Sequence, residues 1–374
     1  MEQLKCMRKF AELGTGTHKN PFLGGDLIKY ILQRLLILPV LMFLVTSILF
    51  LVVLQLPVEQ RAQVYLPSVK PNLKPEEMQQ LIEHTIERYG LDAPFLVQYA
   101  NWLRNLFIGQ WGFSPTWRQS VLEGLRQRAP ATLELTIFAM VPSVILAVIL
   151  GSLSARHQNG IPDYIVRTTA FIGWAFPPFI LGLILMNVFY AWSGWFPPQR
   201  LSIWATFLVR SEDFHTFTGM YTVDALLNSN SKLFWDAVRH LVLPGVTLAV
   251  VQWALLTRVM RSSVLGVLKQ DYVITARAKG LRERHVINRH VHRNAILPLI
   301  SLTSVAASMF ITNIVIIEVI FNINGIGRWA ARSILQADVP VAVGFALFSC
   351  TLTVAASLIA DILYAVVDPQ VRLY

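Results

Sequence analysis

Apolar and polar positions follow one another along this chain in long blocks, without the short alternation of a half-buried surface element. Six blocks are almost wholly apolar: Leu35–Leu56, Ala131–Ala155, Thr168–Trp192, Leu241–Met260, Leu297–Phe321 and Val341–Val367. About 20 helical residues rise about 30 Å, the thickness of a bilayer's hydrocarbon layer, so each block predicts a membrane-spanning helix. The first, LLILPVLMFLVTSILFLVVLQL, carries no charge and lies behind a long polar stretch; it reads as a span and not as a cleaved leader. Pro39, Pro142, Pro177 and Pro178 fall inside blocks, which spanning helices tolerate when neighbours satisfy the freed carbonyls. The fourth block contains Gln252 and closes on Arg258 and Arg261.

Between the first two blocks the pattern changes period. In KPEEMQQLIEHTIERYG, residues Met78, Leu81, Ile82, Ile86 and Tyr89 fall on one helical face, with Pro75 and two glutamates at the start and Gly90 past the end. PFLVQYANWLRNLF then gathers Phe95, Tyr99, Trp102, Leu103 and Leu106 on one face. That second helix either lies along the membrane interface, where Trp and Tyr are favoured, or packs as a soluble cap on the spans. Residues 193–240 are polar enough for a loop with one short helix near Leu233–His240. No internal repeat is visible, which weighs against a secondary transporter built from inverted repeats.

Composition agrees with this all-α integral membrane reading. Only 14% of the 374 residues are charged, where a soluble domain has about 25%. The net charge of +10 fits loops against an anionic cytoplasmic membrane face better than it fits nucleic acid. With six spans, the N-terminal tail, the 156–167 and 261–296 loops and the C-terminus share one side. That side is densest in Lys and Arg (Lys5, Arg8, Lys9, Lys19, Lys29 and Arg34 in the tail alone), which makes it cytoplasmic. The chain then divides into a cytoplasmic tail (1–28), a first span (29–56), an extracytoplasmic helical segment (57–130) and a five-helix core (131–374) carrying the 261–296 loop. Cys6 and Cys350 lie far apart and are expected to stay free thiols.

Catalytic chemistry is missing. None of the nine lysines precedes Ser or Thr, so no phosphate-cradling Walker lysine exists, and there is no H-E-x-x-H, G-x-S-x-G or zinc-spaced Cys/His group. His285, His290 and His292 stand among six cations, a poor metal site. No catalytic residue, metal or cofactor is therefore assigned to this chain. Three acids lie in or near spans: Glu134 and Glu318 toward the outer ends of the second and fifth, Asp361 toward the inner end of the sixth. Each is either a polar contact that fixes helix packing or, best for Glu134 and Glu318, a contact with a transported solute.

The most informative stretch is DYVITARAKGLRERHVINRHVHRNAILP, Asp271 to Pro298. It holds Arg277, Lys279, Arg282, Arg284, Arg289 and Arg293 against only Asp271 and Glu283. It reads as a short helix (Asp271–Lys279), a break at Gly280, and a second helix running to the next span, which Pro298 helps to start. A positive-inside loop explains the charge. It does not explain the Ala276-x-Ala278-x-Gly280 spacing, which leaves a shallow surface for another protein.

TARAKGLRERHVINRHVHRNAILP resembles the EAA loop of binding-protein-dependent ABC importer permeases, in the form of the oligopeptide/dipeptide/nickel branch. RAPATLEL (Arg128–Leu135), EVIFNINGIGR (Glu318–Arg328), DILYAVVDPQVR (Asp361–Arg372) and YGLDAPFLVQY (Tyr89–Tyr99) are similar to other segments of that family, in the same order. The resemblance runs from about residue 29 to the C-terminus. Thr275 stands where many members have an acid, and Asn324-Gly325 where Pro-Gly is usual.

The resemblance implies a type I importer permease fold with a cytoplasmic coupling helix and an outer helical segment. It implies pairing with a second, homologous permease, two ABC ATPase subunits that bind the ATP and Mg, and an extracytoplasmic substrate-binding protein. The coupling loop would comprise Asp271, Tyr272, Thr275, Ala276, Arg277, Ala278, Lys279, Gly280, Leu281 and Arg282. The cargo implied is most often a peptide, with nickel chelates, glutathione and sugars as alternatives, and the location is the inner membrane of a prokaryote. The rivals from other classes are a secondary transporter or channel, and an intramembrane enzyme; co-purification with an ATP-hydrolysing partner separates them from the importer.

Overall fold

The fold is taken from a computed structural model that describes residues 26–63, 65 and 75–367. Most of the N-terminal tail, including Cys6, and the whole of the closing DPQVR stretch (368–372) lie outside that description.

In chain order the helices are α1 (Asp26–Leu54), α2 (Val58–Gln63), α3 (Pro75–Tyr89) and α4 (Phe95–Phe107), then a two-residue antiparallel ladder, β1 (Phe113–Ser114) with β2 (Gln119–Ser120). Next come α5 (Val121–Arg156), α6 (Ile161–Ala175), α7 (Pro178–Met186, prolonged by a wider turn to Trp192), α8 (Ile203–Val209), α9 (Tyr221–Leu227) and α10 (Ser231–Val267). The basic loop contributes α11 (Asp271–Ala278), α12 (Glu283–His285) and, after the wide turn Val286–Val291, α13 (His292–Ala295). The chain closes with α14 (Leu297–Ile320), α15 (Ile326–Leu335) and α16 (Val339–Val367).

Among the described residues, α5, α10, α14 and α16 are each long and apolar enough to cross a membrane. The third block is the departure. Read as one straight span, Thr168–Trp192 is instead a pair, α6 and α7, bent by 101° where Phe176 joins Pro177. Pro177 and Pro178 supply no N–H, so the carbonyls of Gly173 and Trp174 lose their helical donors and the helix stops. α1 covers the first block, and its apolar part is Pro39–Leu54.

Helices also outrun their apolar blocks. α5 begins ten residues before Ala131, because Ser120 caps it by accepting the Glu123 N–H at 3.2 Å. Val121 and Leu125 bury that first stretch against Trp329 and Val341. The short helix expected at Leu233–His240 and the fourth block are one helix, α10, started by Asn230 accepting from the Leu233 N–H at 3.0 Å. Gln252 sits at its buried centre, 2% exposed. In the 193–230 segment, α8 and α9 form a small apolar cluster with Leu233 and Ala237 of α10.

The core runs along the α5–α10–α14 contact in two parts. Toward one end Leu135, Leu241, Leu248, Phe310 and Ile317 pack together; toward the other, Ala147, Leu256, Met260 and Leu299 do so with the basic loop. Outward faces stay apolar: Phe43, Ile145 and Phe171 are all more than half exposed. Surface of that kind is unusual on a soluble monomer and is what lipid or a second subunit requires. α4 packs on the second half of α1, with Trp102 and Tyr99 buried on the Phe50 ring and the Tyr99 hydroxyl 2.7 Å from Ser47 Oγ. Cys350 is a free thiol in α16.

Candidate coupling element

Helix α11 ends as its sequence requires. Gly280 takes φ +74°, a left-handed conformation costly for any side-chain-bearing residue. Its N–H donates to the Arg277 carbonyl at 2.9 Å, and the Leu281 N–H reaches back to the Ala276 carbonyl at 3.4 Å. This paired termination satisfies carbonyls that would otherwise be orphaned. The chain then turns into α12, and Arg277 spans the break by gripping Glu283 through two bonds of 2.7 and 3.1 Å. The guanidinium holds the Glu283 carboxyl below its ordinary range.

The element has an inner and an outer side. Val273 and Ala276, three residues apart, are buried with Met260 and Val264 of α10 and with Val286 and Val291. This corrects one expectation: Ala276 is small because it fits against its own chain, and it is not part of an open surface. The outer side presents Asp271, Tyr272, Thr275, Arg277, Ala278, Lys279, Gly280, Leu281 and Arg282, all exposed, together with Ile274. Tyr272, Ile274 and Leu281 are large apolar or aromatic side chains among cations, a mixed surface suited to a protein groove. A Cβ on Gly280 would meet nothing within 4 Å.

Beside this element lies a buried ion pair that reading the sequence missed. Arg261 of α10 donates two bonds of 2.7 Å to the carboxylate of Asp163 in α6, which also accepts from Ser154 Oγ of α5 at 2.5 Å and from the Asn159 N–H. Asp163 is fully buried. An acid in the first turn of α6, at the edge of an apolar block, was the available signal, since a buried charge there needs a partner.

The two acids singled out as solute contacts sit elsewhere, toward the opposite end of α5. Glu134 is bound by Arg200 at 2.6 Å and by the Thr222 N–H and hydroxyl at 2.7 and 2.8 Å, and the Arg200 guanidinium lies 3.9 Å from the Tyr221 ring centre. Glu318, fully buried, accepts from Thr132 Oγ1 at 2.6 Å and from the Arg328 N–H at 2.9 Å, while the Thr132 hydroxyl accepts the Ile326 N–H. Glu318 thus faces the N-terminus of α15, where a carboxylate is favoured. Both carboxylates are engaged by protein in this conformation. Arg200 and Thr222 had no sequence signal, being far from Glu134 along the chain, and nothing in the RAPATLEL segment linked Thr132 to the distant Glu318.

The same geometry explains Gly325: a Cβ there would overlap the Glu318 carboxylate. Gly325→Ala is expected to push Glu318 out of its cap and leave buried polar groups unpaired, at a cost of about 1–3 kcal/mol. The check is a thermal melt of the detergent-solubilised chain; a midpoint equal to the parent's would refute the cap.

Comparison with known proteins adds the rest. The family described as binding-protein-dependent transport system inner membrane component matches residues 147–373, and its N-terminal membrane component matches 27–136. The oligopeptide transport system permease protein AppB of Bacillus subtilis is 38% identical over 291 residues, 78% of this chain and 84% of that one. The di/tripeptide permease protein DppB of Pseudomonas aeruginosa is 35% identical over 294 residues, 78% and 85% of the two chains. The dipeptide permease protein DppB of Escherichia coli is 32% identical over 348 residues, 92% and 99%.

Proposed function

The chain belongs to the inner membrane components of binding-protein-dependent transport systems, and from that premise we propose that it forms half of the pathway of an ATP-driven peptide importer. The observation that carries the reading is the α11–α12 element, anchored inside by Val273 and Ala276 and open outside from Tyr272 to Arg282. In this reading it seats in a groove of an ABC ATPase, residues 57–130 lie outside, and both termini are cytoplasmic with six spans between them. A homologous second permease completes the pathway, a second ATPase docks on it, and an extracytoplasmic protein delivers the solute. Closure of the ATPases on ATP draws the docked elements together and favours the outward-facing arrangement of the spans. A ligand bound elsewhere then selects between two conformations. Peptide cargo is supported by the names of the AppB and DppB relatives, an oligopeptide and a di/tripeptide transport permease.

Two measurements test this. Cysteines at Gln79 and Arg282 are expected to react with an impermeant reagent from opposite faces of sealed cells; reaction from one face would overturn the topology. The purified chain is expected to hydrolyse no ATP, lacking the lysine loop, and to co-purify with an ATPase that does. Turnover by the pure chain would refute the division of labour.

A further inference from the structure

Helices α6 and α10 enclose a groove of about 660 Å³. From α6 it is lined by Tyr164, Arg167, Phe171 and Trp174, one helical stripe; from α10 by Arg258 and Arg261, with Thr257 just before and Ser262 just after them. No acid is among its lining residues. Arg261 is committed to Asp163, and the Arg258 guanidinium lies over the Trp174 ring at 5.3 Å from its centre, a contact that leaves its edge donors free. Arg167 is exposed.

Two features say that this face does not meet lipid. Arg258 lies within the fourth apolar block, and an arginine there is costly in hydrocarbon unless it faces water or a partner. Immediately above Trp174 comes the proline break, with Phe176 and Phe179 exposed and carbonyls left without helical donors. Irregular backbone at membrane depth survives only where it is buried in protein or lines a water-filled cavity.

We propose that the groove is an inner, water-filled part of the solute path, and that Arg167 and Arg258 hold a solute carboxylate against the Phe171–Trp174 wall. This rests on the importer reading above. Guanidinium groups suit the task because their planar donors match a carboxylate in pairs. A peptide supplies such a group at its C-terminus.

The experiment uses the assembled transporter, with Cys6 and Cys350 replaced by Ser, in inverted membrane vesicles. Thr168→Cys and Phe171→Cys are expected to react with charged, impermeant sulfonatoethyl methanethiosulfonate. Separately, uptake of radiolabelled trialanine by intact cells carrying Arg167→Gln together with Arg258→Gln is expected to fall about tenfold or more, the scale of a lost charged hydrogen bond. ATP hydrolysis stimulated by the loaded binding protein should persist, and Arg258→Lys should restore part of the uptake. Three results overturn the proposal. Thiols that react only when this chain is separated from its partner place a subunit contact in the groove, and thiols that never react place lipid there. Undiminished uptake by the double variant refutes the carboxylate role. A parent transporter that takes up no trialanine refutes the peptide reading instead, and the labelling still decides whether the groove is wet.

Discussion

Asp163→Ala is expected to cost about 3–5 kcal/mol of stability, the usual result of removing one partner from a buried ion pair. The carboxylate is fully buried and accepts bonds from Arg261, Ser154 and the Asn159 backbone, so its loss strands donors from three segments at once. Membrane yield and the melting midpoint in detergent should both drop, and uptake with them. Asp163→Asn should fall in between, since one amide oxygen remains to accept. Arg277→Gln is the control: its Glu283 pair is exposed, and such pairs contribute about 0–1 kcal/mol. Equal melting of Asp163→Ala and the parent would show that the pair does not hold α5, α6 and α10 together.

Gly280→Trp is expected to have the opposite signature, intact protein with lost coupling. The left-handed φ penalises any side chain by roughly 1–2 kcal/mol, but the site is exposed and nothing surrounds the new Cβ. Insertion and folding should therefore survive. The indole would stand on the face from Tyr272 to Arg282 that the proposed ATPase covers, so ATPase co-purification should weaken or hydrolysis run without uptake. Arg282→Gln should be milder, because many cations share the work of orientation. If Arg282→Gln proves the more damaging and Gly280→Trp transports normally, the loop is a lipid-facing basic segment and not a docking element.

How far the sequence reveals this molecule depends on the range of the interaction concerned. The apolar blocks and the basic loop are local patterns, and they located the helices and the break at Gly280. The bend at Pro177 was under-read because block apolarity measures depth and carries no direction. Residues 113–120 hold a ladder too short for any strand period to show. The pairs Arg261–Asp163, Glu318–Thr132 and Glu134–Arg200 join residues 66 to 186 positions apart. No spacing rule in one sequence connects such residues. Ala276 was misassigned for a related reason: a small residue looks the same whether it opens a surface outward or fits one inward.

Helix α10 has a mechanical consequence. Its 37 residues form one continuous helix about 55 Å long at 1.5 Å per residue, with Pro244 in its interior supplying no N–H. Near one end Met260 and Val264 grip the coupling element; at the other Leu233 and Ala237 are locked into the α8–α9 cluster. Such a helix carries a push along its length, and Pro244, which leaves the His240 carbonyl without its helical donor, is the place where it can bend. A displacement at Val273 therefore reaches the α8–α9 cluster through α10, with α5 and α14 as the bearing on which it turns and Pro244 setting how much of the swing arrives.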